Sequence, residues 1–75
     1  MVTKPSSKRR TIRVGSTVRF RFGIEDVTAK VIEDRGPLGE DGEQIYRVRF
    51  WFTDVEEPIE AEIEASRLKV VHRAA

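Results

Sequence analysis

Hydrophobic and polar side chains alternate one by one in several stretches of this 75-residue chain. The strongest stretch runs from Tyr46 to Phe52, where Tyr, Val, Phe and Phe alternate with Arg, Arg and Trp. A period of two is typical of a β-strand that buries one face. The same period recurs over residues 18–22, 27–31 and 59–64, and no stretch of ten or more residues has the period of an amphipathic helix. The pattern therefore predicts an all-β protein.

Turn-forming residues separate these stretches. The segment Gly23–Asp26 predicts a tight reversal, since a glycine at its start can adopt positive φ. Residues 33–43, which hold three glycines and a proline, predict a loop, and Thr53–Pro58 predicts a turn. Residues 64–67 are too few for an α-helix and predict one 3₁₀ turn. Residues 68–71 then form a short fifth strand.

The N-terminal segment differs in composition from the rest. Residues 1–11 carry basic side chains and no acid, with Pro5 and two serines among them. Because such a segment has little apolar surface to bury, we expect a flexible, disordered basic tail. The remaining length fits one small domain over residues 12–72, followed by a frayed C-terminus at 73–75.

The aromatic residues of the strands divide between the two faces. We assign to the interior Phe20, Phe22, Tyr46, Phe50 and Phe52. Trp51 then points to the opposite, outer face. Exposed tryptophans are enriched at interaction hot spots. Alternatively, the tail, the turn at Ile24 or the aliphatic stem of a Lys or Arg covers the ring.

The charged positions of the third and fourth strands suggest ion pairs. A hairpin centred near Val55 and Glu56 would place Arg49 opposite Glu62 and Arg47 opposite Glu64. Opposite charges facing each other across a ladder are stabilising. Such pairing explains the alternating acids of residues 59–64 without any ligand.

Other cations remain after this pairing. They lie on the outer face of the first hairpin and in the tail: Arg19, Arg21, Lys30, Lys8, Arg9 and Arg10. A cationic surface with a flexible basic arm suits weak, salt-dependent phosphate binding. Against phosphate binding, runs of charge are usually solvated surface, and the acidic loop at residues 33–43 would repel a polyanion.

The chain offers little for catalysis, cofactors or metals. It has no cysteine, and its single histidine, His72, lies near the C-terminus. The acids of residues 33–43 do not have the spacing of a calcium loop. We therefore expect no enzyme activity, no catalytic, cofactor or metal site, and no small-molecule substrate. No apolar run is long enough to span a membrane and residues 1–10 lack a signal peptide's apolar stretch, so we expect a cytoplasmic protein.

Five short strands with a one-sided core favour closure into a small barrel, which removes exposed edges. The segments Val14–Val18 and Ala65–Val71 resemble the SH3-like barrels, in particular the short-loop kind found in Tudor and KOW modules. The resemblance covers roughly residues 14–71 and implies a five-stranded barrel with a 3₁₀ turn before the last strand. The chain lacks the KOW glycine in residues 27–31, an aromatic cage near residues 23–28, and the long first loop of peptide-binding SH3 domains.

Two functions remain open at this point. We expect a binding or accessory module that associates with a protein, including a second copy of itself, through the outer face around Trp51, Arg49 and Glu60. The alternative is weak, non-specific binding of nucleic acid or ribonucleoprotein through the first hairpin and the tail.

Overall fold

The computed structural model describes residues 12–52 and 55–74. They form five strands: β1 (Thr17–Phe22), β2 (Glu25–Gly36), β3 (Ile45–Phe50), β4 (Ile59–Glu64) and β5 (Lys69–His72). Two 3₁₀ turns, Glu40–Gly42 and Ala65–Arg67, are the only helical pieces in this part of the chain. The prediction of an all-β protein with a 3₁₀ turn before the last strand is therefore confirmed.

The five strands form one antiparallel sheet in the order β4-β3-β2-β1-β5. Strands β1 to β4 follow one another as a meander, and β5 returns to pair with the free side of β1. As a result, β4 and β5 are the two edges of the sheet, which is not closed into a barrel. The predicted tail, residues 1–11, lies outside the described residues.

The turn between β1 and β2 is shorter than the sequence predicted. Phe22 pairs with Glu25, so only Gly23 and Ile24 connect the two strands. Gly23 has φ 68°, the positive value that two-residue hairpin turns require. The predicted reversal and the positive φ of Gly23 are confirmed, but its length is wrong by two residues because Glu25 and Asp26 already belong to the ladder.

Strand β2 is longer than predicted and runs to Gly36. The predicted loop at 33–43 is wrong over its first four residues, which belong to β2 and of which three pair with β3 from Arg47 to Ile45. The pairing shifts register between Val31 and Glu33 and again between Asp34 and Gly36, so β2 contains one extra residue at each place. Such bulges let a strand continue through residues that lack a regular alternation.

The core lies on one face of the sheet. Its buried residues are Ile12, Val18, Phe20, Val27, Ala29, Val31, Tyr46, Val48, Phe50 and Ile63. Phe20, Tyr46 and Phe50 thus confirm their predicted places, and Phe52 packs half-buried against them. Phe22 does not, since its exposed fraction is 39%. It is the last residue of β1, where the sheet ends and only part of its ring is covered.

Hydrogen bonds connect the first and the last described residues of the domain to buried side chains. The Ile12 N–H donates to the hydroxyl oxygen of buried Tyr46 at 3.1 Å. The Ala74 N–H donates to Oγ of fully buried Ser16 at 3.2 Å. Fraying of residues 73–75 stays a prediction. No helix among the described residues is long and apolar enough to cross a membrane.

Candidate functional site

The face of the sheet opposite the core carries most of the predicted site residues. These residues alternate with buried or half-buried neighbours on their strands and point away from the core: Arg19, Lys30, Arg49 and Glu60. We call this the outer face. It divides into two halves that differ in how their charges are compensated.

The half formed by β3 and β4 holds ion pairs. Arg47 lies opposite Glu62 and Arg49 opposite Glu60. Nη1 of Arg47 donates to Glu62 at 3.0 Å, and Nη2 of Arg49 donates to Glu60 at 2.8 Å. The predicted partners, Glu64 for Arg47 and Glu62 for Arg49, are wrong by two residues. Moving the centre of the connecting loop by one residue shifts the register by two and leaves every side chain on its face.

Cross-links join these pairs into one network. Nε of Arg47 also donates to Glu60 at 3.1 Å, so Glu60 bridges two arginines. On the β2 side, Arg35 lies 3.2 Å from Glu33 and 3.3 Å from Glu62. We call the whole set the paired network: Arg35, Arg47, Arg49, Glu33, Glu60 and Glu62. It holds as many cations as anions and has no net charge.

The pKa values in the paired network reflect this compensation. Hydrogen bonds from Arg49 and then Arg47 hold the pKa of Glu60 below its ordinary value. The hydrogen bond to Glu60 raises the pKa of Arg47. Arg47 and Glu60 therefore keep their charges near neutral pH, and their groups already have partners.

The half formed by β5, β1 and β2 holds three cations that neighbour one another. Lys69 on β5 lies directly opposite Arg19 on β1. Arg19 pairs with Thr28, and Lys30 follows two residues later on β2, which makes Arg19 and Lys30 diagonal neighbours at roughly 7–8 Å. We call Lys69, Arg19 and Lys30 the cationic stripe. All three are exposed.

The cationic stripe has no carboxylate partner in the part of the chain that the structure describes. Within residues 12–52 and 55–74, no Asp or Glu oxygen lies within 4.0 Å of a nitrogen of Lys69, Arg19 or Lys30. Arg21, a predicted phosphate contact, differs: its Nε lies 3.1 Å from Asp26. The structure thus separates Arg21 from the other two predicted cations of the first hairpin.

Trp51 lies beside the end of the cationic stripe. It is the first residue after β3, two positions beyond Arg49, and Arg49 is the β3 partner of Lys30. Two residues along a partner strand is again the diagonal-neighbour position. The side chain of Trp51 is 57% exposed. Its exposure agrees with the outward direction that the alternation predicted.

The acidic loop lies beyond the far end of β2. The turn Glu40–Gly42 follows Gly36, six residues after Lys30, which is on the order of 15–20 Å along the strand. Electrostatic effects between exposed charges fall off over ~8 Å at physiological salt. Repulsion of an anion at the cationic stripe by this loop is therefore largely screened.

Two contributors to the outer face were missed by sequence reasoning. Lys69 alternates with half-buried Val70, so its outward direction could be read from the sequence, but its position opposite Arg19 depends on the distant β1–β5 pairing. Arg35 joins the paired network only because β2 continues through its second bulge. The predicted tail contacts Lys8, Arg9 and Arg10 lie outside the described residues.

Other chemistry is sparse in the part of the chain that the structure describes. No three His, Asp or Glu side chains there are grouped so that they could hold a metal ion. Comparison with protein-family models, curated proteins and solved structures finds no match to this chain. The candidate site is therefore defined by its geometry: a charge-balanced network, a cationic stripe and an exposed indole on one face.

Proposed function

We propose that this protein is a non-enzymatic binding module that holds nucleic acid weakly through the outer face of β5, β1 and β2. The observation that carries the proposal is the cationic stripe. Three exposed cations on adjacent strands have no carboxylate partner among the described residues, while the rest of the same face is charge-balanced.

The stripe is unfavourable for the protein alone. Like charges placed directly opposite each other across a ladder are destabilising. A bound polyanion would convert that repulsion into attraction and would release its own counterions. Departures from local structural rules that lack internal compensation are expected at functional sites.

The fold proposed for this module is SH3-like. The position of β1 between β2 and β5, together with the 3₁₀ turn Ala65–Arg67 before β5, supports that resemblance. In this proposal the basic tail adds further phosphate contacts, and no base sequence is read because the stripe offers only charge.

Titration with labelled oligonucleotides at two salt concentrations tests the proposal. At physiological salt we expect dissociation constants of roughly 10⁻⁴–10⁻⁶ M for both single-stranded and duplex DNA, and affinity should fall steeply as the salt concentration rises. The salt dependence is the slope of the logarithm of the binding constant against the logarithm of the salt concentration. Replacing Arg19 and Lys69 with Thr should reduce the size of this slope by about 1.4 for a single strand, because each lost phosphate contact reduces it by about 0.7.

A charge-matched control separates the stripe from net charge. Replacing Arg13 and Arg73 with Thr removes the same two charges from exposed positions outside the stripe. The salt dependence of oligonucleotide binding should change less in this control than in the Arg19 and Lys69 variant. Equal effects of the two variants, or no binding at low salt, would contradict the proposal.

The second candidate is protein association around Trp51, Arg49 and Glu60. Two observations favour it. Trp51 is 57% exposed, and the charges on the neighbouring outer face of β3 and β4 are already paired within the protein. It predicts self-association or partner capture that Trp51→Ala abolishes and that the stripe substitutions leave intact. Sedimentation of the parent and Trp51→Ala over a range of concentrations tests the self-association form.

A further inference from the structure

We infer that Trp51 is a stacking platform for an unpaired base, so that the ligand of the outer face is a single nucleic-acid strand. This inference rests on the proposed function. It assigns the phosphates to the cationic stripe and one base to the indole.

The first support is the state of the Trp51 ring. Ring contacts join the four phenylalanines Phe20, Phe22, Phe50 and Phe52 into one cluster. Trp51 takes part in none of these contacts and is the most exposed aromatic side chain described. Its ring is therefore available to a ligand, whereas the ring of Phe22 packs against three other phenylalanine rings.

The second support is the placement of Trp51 relative to the cations. Trp51 comes two residues after Arg49, the β3 partner of Lys30, and Arg19 and Lys69 continue from Lys30 across β1 and β5. A strand laid across the sheet could place successive phosphates on the stripe while one base covers the indole. Aromatic side chains beside a basic surface are the common arrangement for binding single strands.

Charge and shape favour this ligand over the alternatives. In a duplex the bases are stacked on one another, so an indole on a sheet surface can stack only on an unpaired base. The cores of protein interfaces are depleted in charged residues. Trp51 instead has Lys30 on one side and the Arg49–Glu60 pair on the other, which suits a polyanion better than an apolar partner surface.

Intrinsic fluorescence provides a direct readout, because Trp51 is the only tryptophan in the chain. The probes are an oligo-dT and an oligo-U of about 12 nucleotides, within the range of footprints of small single-strand-binding domains. We expect saturable quenching of Trp51 by both probes, with the same midpoint as fluorescence anisotropy of labelled oligonucleotide. Inorganic polyphosphate should bind the stripe without quenching of this kind, because it has no bases.

Two variants at Trp51 separate stacking from a structural role. Trp51→Ala should weaken single-strand binding about 5- to 140-fold, the range that loss of one stacked base produces. Its duplex affinity and its salt slope should stay those of the parent, because the stripe is intact. Trp51→Phe keeps an aromatic face and should retain most of the single-strand affinity.

The outcomes distinguish base stacking on Trp51 from the proposed function, which is nucleic-acid binding through the cationic stripe. Binding of oligonucleotides without quenching, and without loss in Trp51→Ala, would overturn the stacking role while leaving the proposed function standing. No binding of single strands or duplex at low salt would overturn both. If Trp51 fluorescence changed with protein concentration and not with added oligonucleotide, the inference would be wrong, and self-association through Trp51 would be favoured instead.

Discussion

The two halves of the outer face are built from the same kinds of residue but are compensated in opposite ways. On β3 and β4, Arg47 and Arg49 face Glu62 and Glu60 and bond to them. On β5 and β1, Lys69 faces Arg19, and no carboxylate in the described part of the chain lies within 4.0 Å of either.

The difference shows which charges the fold itself uses. Opposite charges across β3 and β4 stabilise the observed register, and this register also keeps the apolar side chains on the core face. Like charges across β5 and β1 weaken a pairing that the backbone ladder and the core maintain. Ion pairs within the protein explain the charges of the β3–β4 half, whereas we propose a bound ligand as the explanation of the cationic half.

The largest expected effect concerns the core that both halves share. Phe50 is 1% exposed and contacts the rings of Phe20, Phe22 and Phe52. Phe50→Ala should destabilise the protein by about 3–5 kcal/mol, because it removes a large buried ring and leaves a cavity. Thermal or urea unfolding followed by circular dichroism measures this loss.

A matched substitution at the end of the same cluster sharpens this result. Phe22 is 39% exposed, so Phe22→Ala should cost clearly less than Phe50→Ala. If the two variants lost equal stability, the description of Phe22 as a partly covered ring at the end of the sheet would be wrong.

A charge reversal in the cationic half should have a smaller effect and the opposite sign. Lys69→Glu places a carboxylate opposite Arg19, so it replaces a repulsive pair with an attractive one. We expect a gain in stability of roughly 0.2–1 kcal/mol, together with weaker nucleic-acid binding. Chemical denaturation and oligonucleotide titration of the same variant measure the two effects.

Arg73→Glu is the control for this reversal. It changes the net charge equally at an exposed residue outside the β5–β1 ladder. Its stability gain should be smaller than that of Lys69→Glu. A loss of stability in Lys69→Glu would contradict the claim that Lys69 and Arg19 repel each other in the free protein.

The smallest expected effect is a pH dependence in the charge-balanced half. Arg49 and Arg47 lower the pKa of Glu60, whose ordinary value is 4.5. A lowered pKa means that the ionised group stabilises the folded state at pH values above about 4.5, and that this contribution is lost as the pH falls through the folded-state pKa.

Glu60→Gln tests this dependence. The variant should be less stable than the parent at neutral pH, and the difference should shrink as the pH falls below about 4.5. The measurement is the melting temperature of both proteins over that range. A difference that did not change with pH would mean that the Glu60 charge contributes nothing to folding.

Much of the fold was readable from local patterns. The alternation around Val48 and Phe50 and around Ala61 and Ile63 identified β3, β4 and their inward faces, because a period of two has one structural meaning. Ala65–Arg67 was readable as a 3₁₀ turn because it is too short for anything longer. Barrel closure was expected from the same patterns, and the described sheet is open.

The rest depends on features without a local signal. The bulges at Ile32 and Arg35 extend β2 through residues whose composition predicts a loop. A shift of one residue in the centre of the β3–β4 connection changed the partner of Arg47 from Glu64 to Glu62. Above all, the pairing of β1 with β5 joins residues about 50 positions apart, so no local pattern indicates the register that sets Lys69 opposite Arg19.

The most direct test of the comparison between the halves is a map of ligand-induced shifts. In a two-dimensional NMR titration of the whole chain with a short oligo-dT, we predict the largest amide shifts at Arg19, Lys30 and Lys69, together with a shift of the Trp51 indole N–H. Arg47 and Glu62 should shift little. Shifts concentrated at Arg47 and Glu62, with none on the cationic stripe, would contradict the account.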